Sequence, residues 1–417
     1  MIVRGALADD FTGATDLAGN WRARGLRTAV ALTIPSRDQF AELAGYDAVV
    51  IAQKIRSVDQ AKARAVAVRA GQALMDLGCT QIYDKYCSTF DSTPEGNIGP
   101  IAEELMNLTG ASRAIVVPSF PDAGRTVYSG HLFVLGEPLD ESPMKDHPLN
   151  PMRDSSVVRL MQAQTERPVG HVSHSVVQQG PEALRKELDR LDPTYDFIVV
   201  DAIDNEDLKV IAVATSSDSL VTGGSGIALG LPHVDRNLGQ VKQVPGKRLI
   251  LSGSASSMTR RQVQSAKKHL PSRKVAPGAL VGDFDATVGD CVSWVQSQWE
   301  LNPDISPLVY SVENDEDLRE STKYGDQVSA LLEEFFGNVA QSLSDVGATQ
   351  FIIAGGETSG AVCQSLGVQL LELGRQLAPG VSWLLSKAEN QQFNMVLKSG
   401  NFGGENLFTA AWEELND

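Results

Sequence analysis

An α/β fold is predicted for this chain: two domains, each with a largely parallel sheet flanked by helices, and an active site in the interdomain cleft. Three observations carry that expectation. Short apolar runs alternate along the sequence with segments whose apolar residues recur at helical spacing. The 417 residues exceed one compact core, since domains hold roughly 100–200 residues. A polar, turn-rich stretch, GQVKQVPGKR, interrupts the alternation near residues 235–247 and divides the chain into units at 1–238 and 245–417.

The first apolar run, IVRGALA, reads as a central strand that runs into ADDFTGATD. ATDLAGNWRARG then reads as an amphipathic helix closed by Gly25. TAVALT (28–33), DAVVIAQ (47–53), QIYDK (81–85), AIVVPSF (114–120) and DFIVVDA (196–202) supply further strands of the first unit. VDQAKARAVAVRAGQALMDLG is a helix between two of them. In the second unit RLILSGS (248–254), PLVYSV (307–312), QFIIAGG (350–356) and NMVLKSG (394–400) continue the series. The proline- and charge-rich stretch 135–155 reads as a long ordered loop or flap near the site.

Composition narrows the function. A net charge of −16 with no basic block repels phosphate backbones and anionic membranes, so neither nucleic acid nor membrane is an expected partner. No apolar run is long enough to span a bilayer and no signal pattern opens the chain, which points to the cytoplasm. Cys79, Cys87, Cys291 and Cys363 show neither metal spacing nor a CxxC pair, and read as reduced thiols.

Chemistry concentrates at strand ends. In the second unit QFIIA runs into GGETSGAV, with a helix expected near Thr358, and LSGSASSMT and KSGNFGG repeat the arrangement of strand, small residues and turn. Such turns expose N–H groups, and helix N-termini favour anions, so three of them can line one phosphate groove. The candidates are Ser252, Ser254, Ser256, Gly355, Gly356, Glu357, Thr358, Gly400 and Gly403. Neither GxxxxGK[ST] nor a GxGxxG after a strand is present, which sets aside P-loop enzymes and dinucleotide-dependent dehydrogenases.

In the first unit ADDFTGATD, QKIRS, KYCSTFDSTPEGNIG and SFPDAGRTVYSGH each follow an apolar strand. They offer cations (Lys54, Arg56, Lys85, Arg125), carboxylates (Asp9, Asp10, Asp91) and hydroxyls (Thr12, Ser88, Thr89, Ser92). Any one of these could be a surface turn. Together they suit a polyhydroxylated organic acid, which needs a cation for its carboxylate, partners for its hydroxyls and one base. Blander roles are expected elsewhere: His171 and His174 lack a third metal ligand, Cys87 lines or packs, and Asp283 and Asp285 sit in a solvated loop, with Mg²⁺ as the alternative. The acidic run ENDEDLRE (313–320) is an exposed face.

The ordered motifs ADDFTGATDLA, GNIG, PSFPDAGRTVYSGH, GSASSMT, GGETSG and KSGNFGG resemble, over essentially the whole chain, the four-carbon acid sugar kinases. Threonate and erythronate kinases of that family carry a KxDSTxRGNIG-like stretch. Here Cys87 stands at its aspartate and Asp91 at its arginine, a departure similar to the 3-oxo-tetronate kinase branch, as are GRTVYSGHLFV and ESPMKDHPLNPM. The resemblance implies an N-terminal sugar-acid-binding domain, a C-terminal nucleotide-binding domain, ATP and Mg²⁺ as cofactors, and γ-phosphoryl transfer to the 4-hydroxyl of 3-oxo-tetronate. Lys85, Arg125 and Arg56 are then expected on the substrate carboxylate, with Asp9, Thr12, Ser88, Thr89 and Asp91 toward its hydroxyls or carbonyl. Asp10 would orient or deprotonate the terminal hydroxyl, with Asp91 as reserve, while the metal ligands stay unassigned. Open alternatives are a D-threonate or D-erythronate 4-kinase and a non-catalytic sugar-acid and nucleotide sensor; homo-oligomerisation is also open.

Overall fold

The computed structural model describes residues 4–146, 150–324, 326–388 and 391–416. The chain folds as two units, Met1–Leu238 and Gly239–Asp417.

The strands of the first unit are β1 (Arg4–Ala8), β2 (Thr28–Ala31), β3 (Ala48–Ala52), β4 (Gln81–Lys85), β5 (Ala114–Val117), β6 (Arg125–Tyr128), β7 (His131–Val134), β8 (Glu137–Pro138), β9 (Val169–Val172), β10 (Phe197–Val200) and β11 (Leu220–Gly223). Eight of them form a parallel sheet in the order β2-β3-β1-β4-β11-β5-β10-β9. Every residue of β3 and β10 is buried, which is why AVVIA and FIVV are unbroken apolar runs rather than alternating ones. The helix Phe11–Ala23 starts at Asp10, whose side chain accepts from the Gly13 N–H, and gives way to Gly25 at φ +85°. A Cβ on Gly25 would lie 1.9 Å from the Val234 carbonyl oxygen, so the position needs glycine for space as well as conformation.

Sheet order also fixes where a ligand can sit. β1 lies between β3 and β4, and the helix Gln60–Asp76 carries the chain past β1 from one neighbour to the other. Such a reversal opens a crevice at the carboxyl ends of the strands. The stretch 135–155 is more ordered than a loop: β8 joins β6 and β7 in a small antiparallel sheet, and Pro143–Asp146 forms a single 3₁₀ turn. Residues 147–149 of that stretch lie outside the described residues. The sequence pattern does not mark β9 or β11, each only four residues long and carrying histidine or threonine among its apolar positions.

The second unit contains β12 (Lys247–Ser252), β13 (Ser272–Lys274), β14 (Leu308–Tyr310), β15 (Ala348–Ala354), β16 (Val368–Ala378), β17 (Val381–Ala388) and β18 (Gln392–Lys398). Their order is β13-β14-β12-β15-β18-β17-β16, parallel from β13 to β18 and antiparallel across β17 and β16. One core cluster joins Ile250, Ile352, Trp383 and Val396 of the sheet to Phe408 and Trp412. β16 and β17 escape the sequence pattern because register shifts along β16 break the two-residue alternation of its leucines. Among the described residues no helix is long and apolar enough to cross a membrane.

Candidate active site

In the first unit the carboxyl ends of β1, β3 and β4 bring Asp9, Asp10, Arg56 and Lys85 together. The pairing of Ala8 with both Ala52 and Lys85 sets these ends level. Asp9 is buried, and Arg56 grips it with two bonds, Nε to Oδ2 at 2.8 Å and Nη2 to Oδ1 at 2.9 Å. The same guanidinium also donates to Asp10 and lies 3.8 Å from Asp91. Arg56, expected to clamp a substrate carboxylate, is therefore the shared counter-ion of three protein carboxylates. Burial alone would lower its pKa, but Asp10 and Asp9 hold it well above the ordinary value.

Asp10 caps the first helix, accepting from the Gly13 N–H and, at 3.3 Å, from the Thr12 hydroxyl. Burial pushes its carboxyl up, yet Arg56, Lys85 and these hydrogen bonds together bring it down to about 2. It is ionised throughout the physiological range. Lys85 is buried with its amine donating to the Tyr86 carbonyl at 3.0 Å, and a Cβ on Gly13 would lie 2.4 Å from that nitrogen. Gly13 in DDFTGATD is thus the gap through which Lys85 reaches the start of the helix. Arg125 keeps its Nε without a hydrogen-bond partner among the described residues and acts electrostatically on Asp16.

Several motif residues hold this arrangement rather than facing a ligand. Asn97 of GNIG donates to the carbonyls of Ile55 and Val58, both at 2.8 Å, and so pins the loop that presents Arg56. Phe90, at φ +50°, packs edge-on against Tyr86 and turns the chain so that Asp91 returns toward Arg56; such strain gathers at functional sites. Asp201 accepts from the backbone N–H groups of Ser129 and Gly130 in YSGH and of His174, and from the His171 ring. Both histidine rings are therefore structural partners of carboxylates, His171 of Asp201 and His174 of Asp207 at 3.0 Å. Among the described residues no three His, Cys, Asp or Glu side chains are grouped to hold a metal, and Asp283 caps the helix Phe284–Leu301 instead.

The remaining candidates of the first unit fall at the margin of the cluster. Thr89 pairs with Cys87 at 2.9 Å, Ser88 packs against Gly224, Ser92 bonds Gln164 at 3.3 Å, and Lys54 lies 5.9 Å from the ring centre of Phe11. Three neighbours were not legible from the pattern. Asp16 is buried, its carboxyl raised by burial against a hydrogen bond from Ser225, and Ser225 belongs to the unmarked GGSG turn after β11. Asp84 lies inside β4 with its carboxyl pushed well up by burial. A cavity of about 10 Å³, room for roughly one water, separates it from Asp9, Ser92 and Asn97.

In the second unit the register is the decisive feature. Ser252 pairs with Ala354, and Ala354 with Lys398, so the turns after β12, β15 and β18 begin at one level. They interlock closely. A Cβ on Gly253 would lie 2.2 Å from the Thr358 hydroxyl, and one on Gly400 2.7 Å from Ser256. Gly355 adopts φ +119° as the cap of the helix Gly356–Ser365, which begins two residues before the expected Thr358. Ser256 caps the neighbouring helix Ser257–Ala266, accepting from the Thr259 N–H at 3.3 Å. Ser252 and Ser359 are fully buried with hydroxyls lacking a partner among the described residues. Gly403 has a supporting place: Gln262 donates to the carbonyls of residues 402–404, and a Cβ on Gly403 would meet Leu407 at 2.8 Å. Glu357 is exposed on the first turn of its helix.

A parallel sheet carrying a carboxylate and cation cluster, followed by a sheet carrying a neutral glycine–serine cradle, defines the class of a two-domain sugar-binding and nucleotide-binding protein. Comparison with known proteins agrees. Residues 4–231 match the sugar-binding N-terminal domain family and residues 249–408 the nucleotide-binding C-terminal domain family. A 3-oxo-tetronate kinase of Pseudomonas fluorescens is 39% identical, covering 99% of this chain and 96% of that protein. One of Salmonella typhimurium is 38% identical over 99% of each chain. A crystal structure from Salmonella typhimurium LT2 superposes with a TM-score of 0.89 at 38% identity over 99% of this chain and 100% of that one. A Haemophilus influenzae structure gives 0.80 at 37% identity, with coverage of 99% and 100%. The chain belongs to the four-carbon acid sugar kinase family, in its 3-oxo-tetronate kinase branch.

Proposed function

We propose that this chain transfers the γ-phosphoryl group of ATP to the 4-hydroxyl of 3-oxo-tetronate, releasing ADP and 3-oxo-tetronate 4-phosphate. The observation that carries the nucleotide half is the levelled set of turns after β12, β15 and β18. Buried hydroxyls without partners among the described residues, two helix N-termini and glycines that admit no side chain fit a triphosphate better than any neutral ligand. Ser252, Ser254, Ser256, Gly355, Gly356, Thr358 and Gly400 would present donors to the phosphates, and exposed Glu357 suits ribose hydroxyls. Among the described residues no pre-built carboxylate cage stands ready for Mg²⁺, which fits an ion held mainly by phosphate oxygens and water.

In the sugar-acid half, Lys85 and Arg125 are the cations for the substrate carboxylate, Arg125 having an Nε without a partner among the described residues. Asp10 accepts a hydrogen bond from the 4-hydroxyl and orients its oxygen toward the γ-phosphorus; the O–P bond forms as the bond to the ADP oxygen breaks, and the hydroxyl proton, acidified as the ester forms, passes late to Asp10 and on to solvent. A carboxylate held near 2 is a weak base. That suffices, because phosphoryl transfer proceeds through a loose transition state in which alignment and charge neutralisation dominate. Asp91, Thr12, Ser88 and Thr89 are assigned to the hydroxyl and carbonyl of the acid, and Arg56 keeps Asp9, Asp10 and Asp91 in place.

The experiment is a coupled ADP-release assay over a panel of four-carbon acids, oxidised and reduced at carbon 3. A kcat/KM at least ~100-fold higher for the oxidised acids is expected. Preference for threonate or erythronate would move the chain to the other kinases of the family, and binding of both ligands without ADP release would make it a sensor.

A further inference from the structure

Lys398 closes β18 and is completely buried, with a relative exposure of 0%. Its amine donates to the Thr259 hydroxyl at 2.8 Å and to the Gly400 carbonyl at 2.9 Å, both neutral acceptors. No carboxylate pairs with it among the described residues. Of the surrounding elements, β15 carries no titratable side chain and β17 carries only Lys387, at the far end of the pairing. The helix Ser257–Ala266 carries Arg260, paired with Asp315, and Arg261, 3.8 Å from Glu405. The helix Gly356–Ser365 carries the exposed Glu357 and the buried thiol of Cys363, pushed by burial up to about 12. A cation buried without a counter-ion is costly, so such a group is kept neutral or awaits an anion.

The anion would arrive next to it. From Lys398 a chain of hydroxyls runs to the cradle: Thr259 Oγ1 accepts from Ser256 Oγ at 3.0 Å, and Ser256 Oγ from Ser254 Oγ at 3.3 Å. Thr259 also donates to the Gly400 carbonyl at 2.7 Å, so the amine sets the hydrogen-bond direction of the whole row. We infer that Lys398 is a buried amine that a bound triphosphate converts to its cation, a positioning residue that takes up a proton as the nucleotide binds and aligns the Thr259–Ser256–Ser254 hydroxyls with the phosphates. This rests on the cradle being the nucleotide site.

The direction of the effect is fixed by the amine's surroundings. Burial holds the free amine down to about 7. Bound to a polyanion it returns toward the ordinary lysine value of ~10.4, so proton uptake is small near pH 6 and close to ~1 per nucleotide at pH 8.5. At pH 8.5 phosphate groups, whose second pKa is ~6, are already ionised and contribute none of it. Reciprocally, ATP affinity falls by up to ~tenfold per pH unit between about 7.5 and 9.5.

Titration calorimetry with Mg·ATP on the full chain at pH 8.5, in buffers of low and high ionisation enthalpy, measures the uptake. Heats that differ by nearly one proton's worth at pH 8.5 are expected, whereas at pH 6, where the amine is already protonated, any buffer dependence comes from the phosphates and is the same in the unmodified protein and in Lys398→Met. In Lys398→Met the buffer dependence at pH 8.5 should vanish, with affinity at pH 6 reduced at least ~tenfold and thermal stability equal or higher. A merely structural lysine would instead lower stability and leave the uptake unchanged. Normal ATP binding with buffer-independent heat in the unmodified protein overturns the inference while sparing the nucleotide site, and needs no variant to fold. Absence of ATP binding in the unmodified protein overturns the nucleotide site itself.

Discussion

The two candidate sites solve opposite electrostatic problems. The cluster at the ends of β1, β3 and β4 is crowded with charge, three carboxylates around one guanidinium, and its order depends on that guanidinium staying put. The cradle at the ends of β12, β15 and β18 is built of hydroxyls, backbone and glycine, with the buried Lys398 amine beneath it. A small acid with several hydroxyls needs many acceptors held at fixed angles, and a compensated ion cluster supplies them. A triphosphate brings its own charge, so its site needs donors and close approach rather than further ions. The first site should therefore fail through charge changes and the second through changes of volume.

The largest effect is expected at Arg56. Arg56→Met leaves buried Asp9 without its bidentate partner and should cost about 3–5 kcal/mol of stability, read by denaturant unfolding. A variant as stable as the parent would show that the carboxylates are not held by this group. Next comes Asp10→Asn, which keeps a helix cap but removes the charge. Turnover should fall ~10²-fold in the steady-state assay, the scale of lost alignment, and a rise in KM alone would reduce Asp10 to a binding residue. The same change sharpens the acid side. Because the folded carboxyl sits at about 2, below its ordinary 3.8, its stabilising contribution is complete above about pH 5 and lost as pH falls through 2. Asp10→Asn should therefore flatten the stability loss between pH 4 and 2, and between pH 5 and 8 no activity limb should belong to Asp10.

On the neutral side, Gly355→Ala forces a side chain onto φ +119° and places its Cβ 3.0 Å from the Thr358 hydroxyl. A cost of about 1–3 kcal/mol is expected, appearing as weaker ATP binding with sugar-acid binding unchanged in calorimetry. The smallest effect is a control outside both regions. Glu206→Gln breaks an exposed pair with Lys209 and should change stability by less than about 0.5 kcal/mol with no kinetic consequence.

Much of this was legible in the sequence because it is local. Gly25 after ATDLAGNWRAR and Gly78 after ALMDL end their helices at φ +85° and +90°, conformations that the surrounding residue types announce. The polar ends of the apolar runs placed Asp9, Asp10, Lys85 and the glycine–serine turns where the fold has them. What stayed hidden lies in irregular or distant pairings. β16 and β17 have shifted registers that erase the alternation, and β11 is too short to stand out, so Ser225 and its bond to Asp16 had no signal. Asn97 was visible as a motif residue, but its grip on the Arg56 loop, some forty residues upstream, was not.

By itself the chain determined which backbone conformations are available at each strand end and which chemical groups stand there, since both depend on neighbours a few residues apart. Tertiary structure alone decided partnership: that Arg56 serves carboxylates of the protein, that the turns after β12, β15 and β18 share one level, and that Lys398 is sealed beneath them with no counter-ion among the described residues. The physical reason is that charge compensation and burial depend on which strands lie side by side. In both sheets that order departs from the order of the chain.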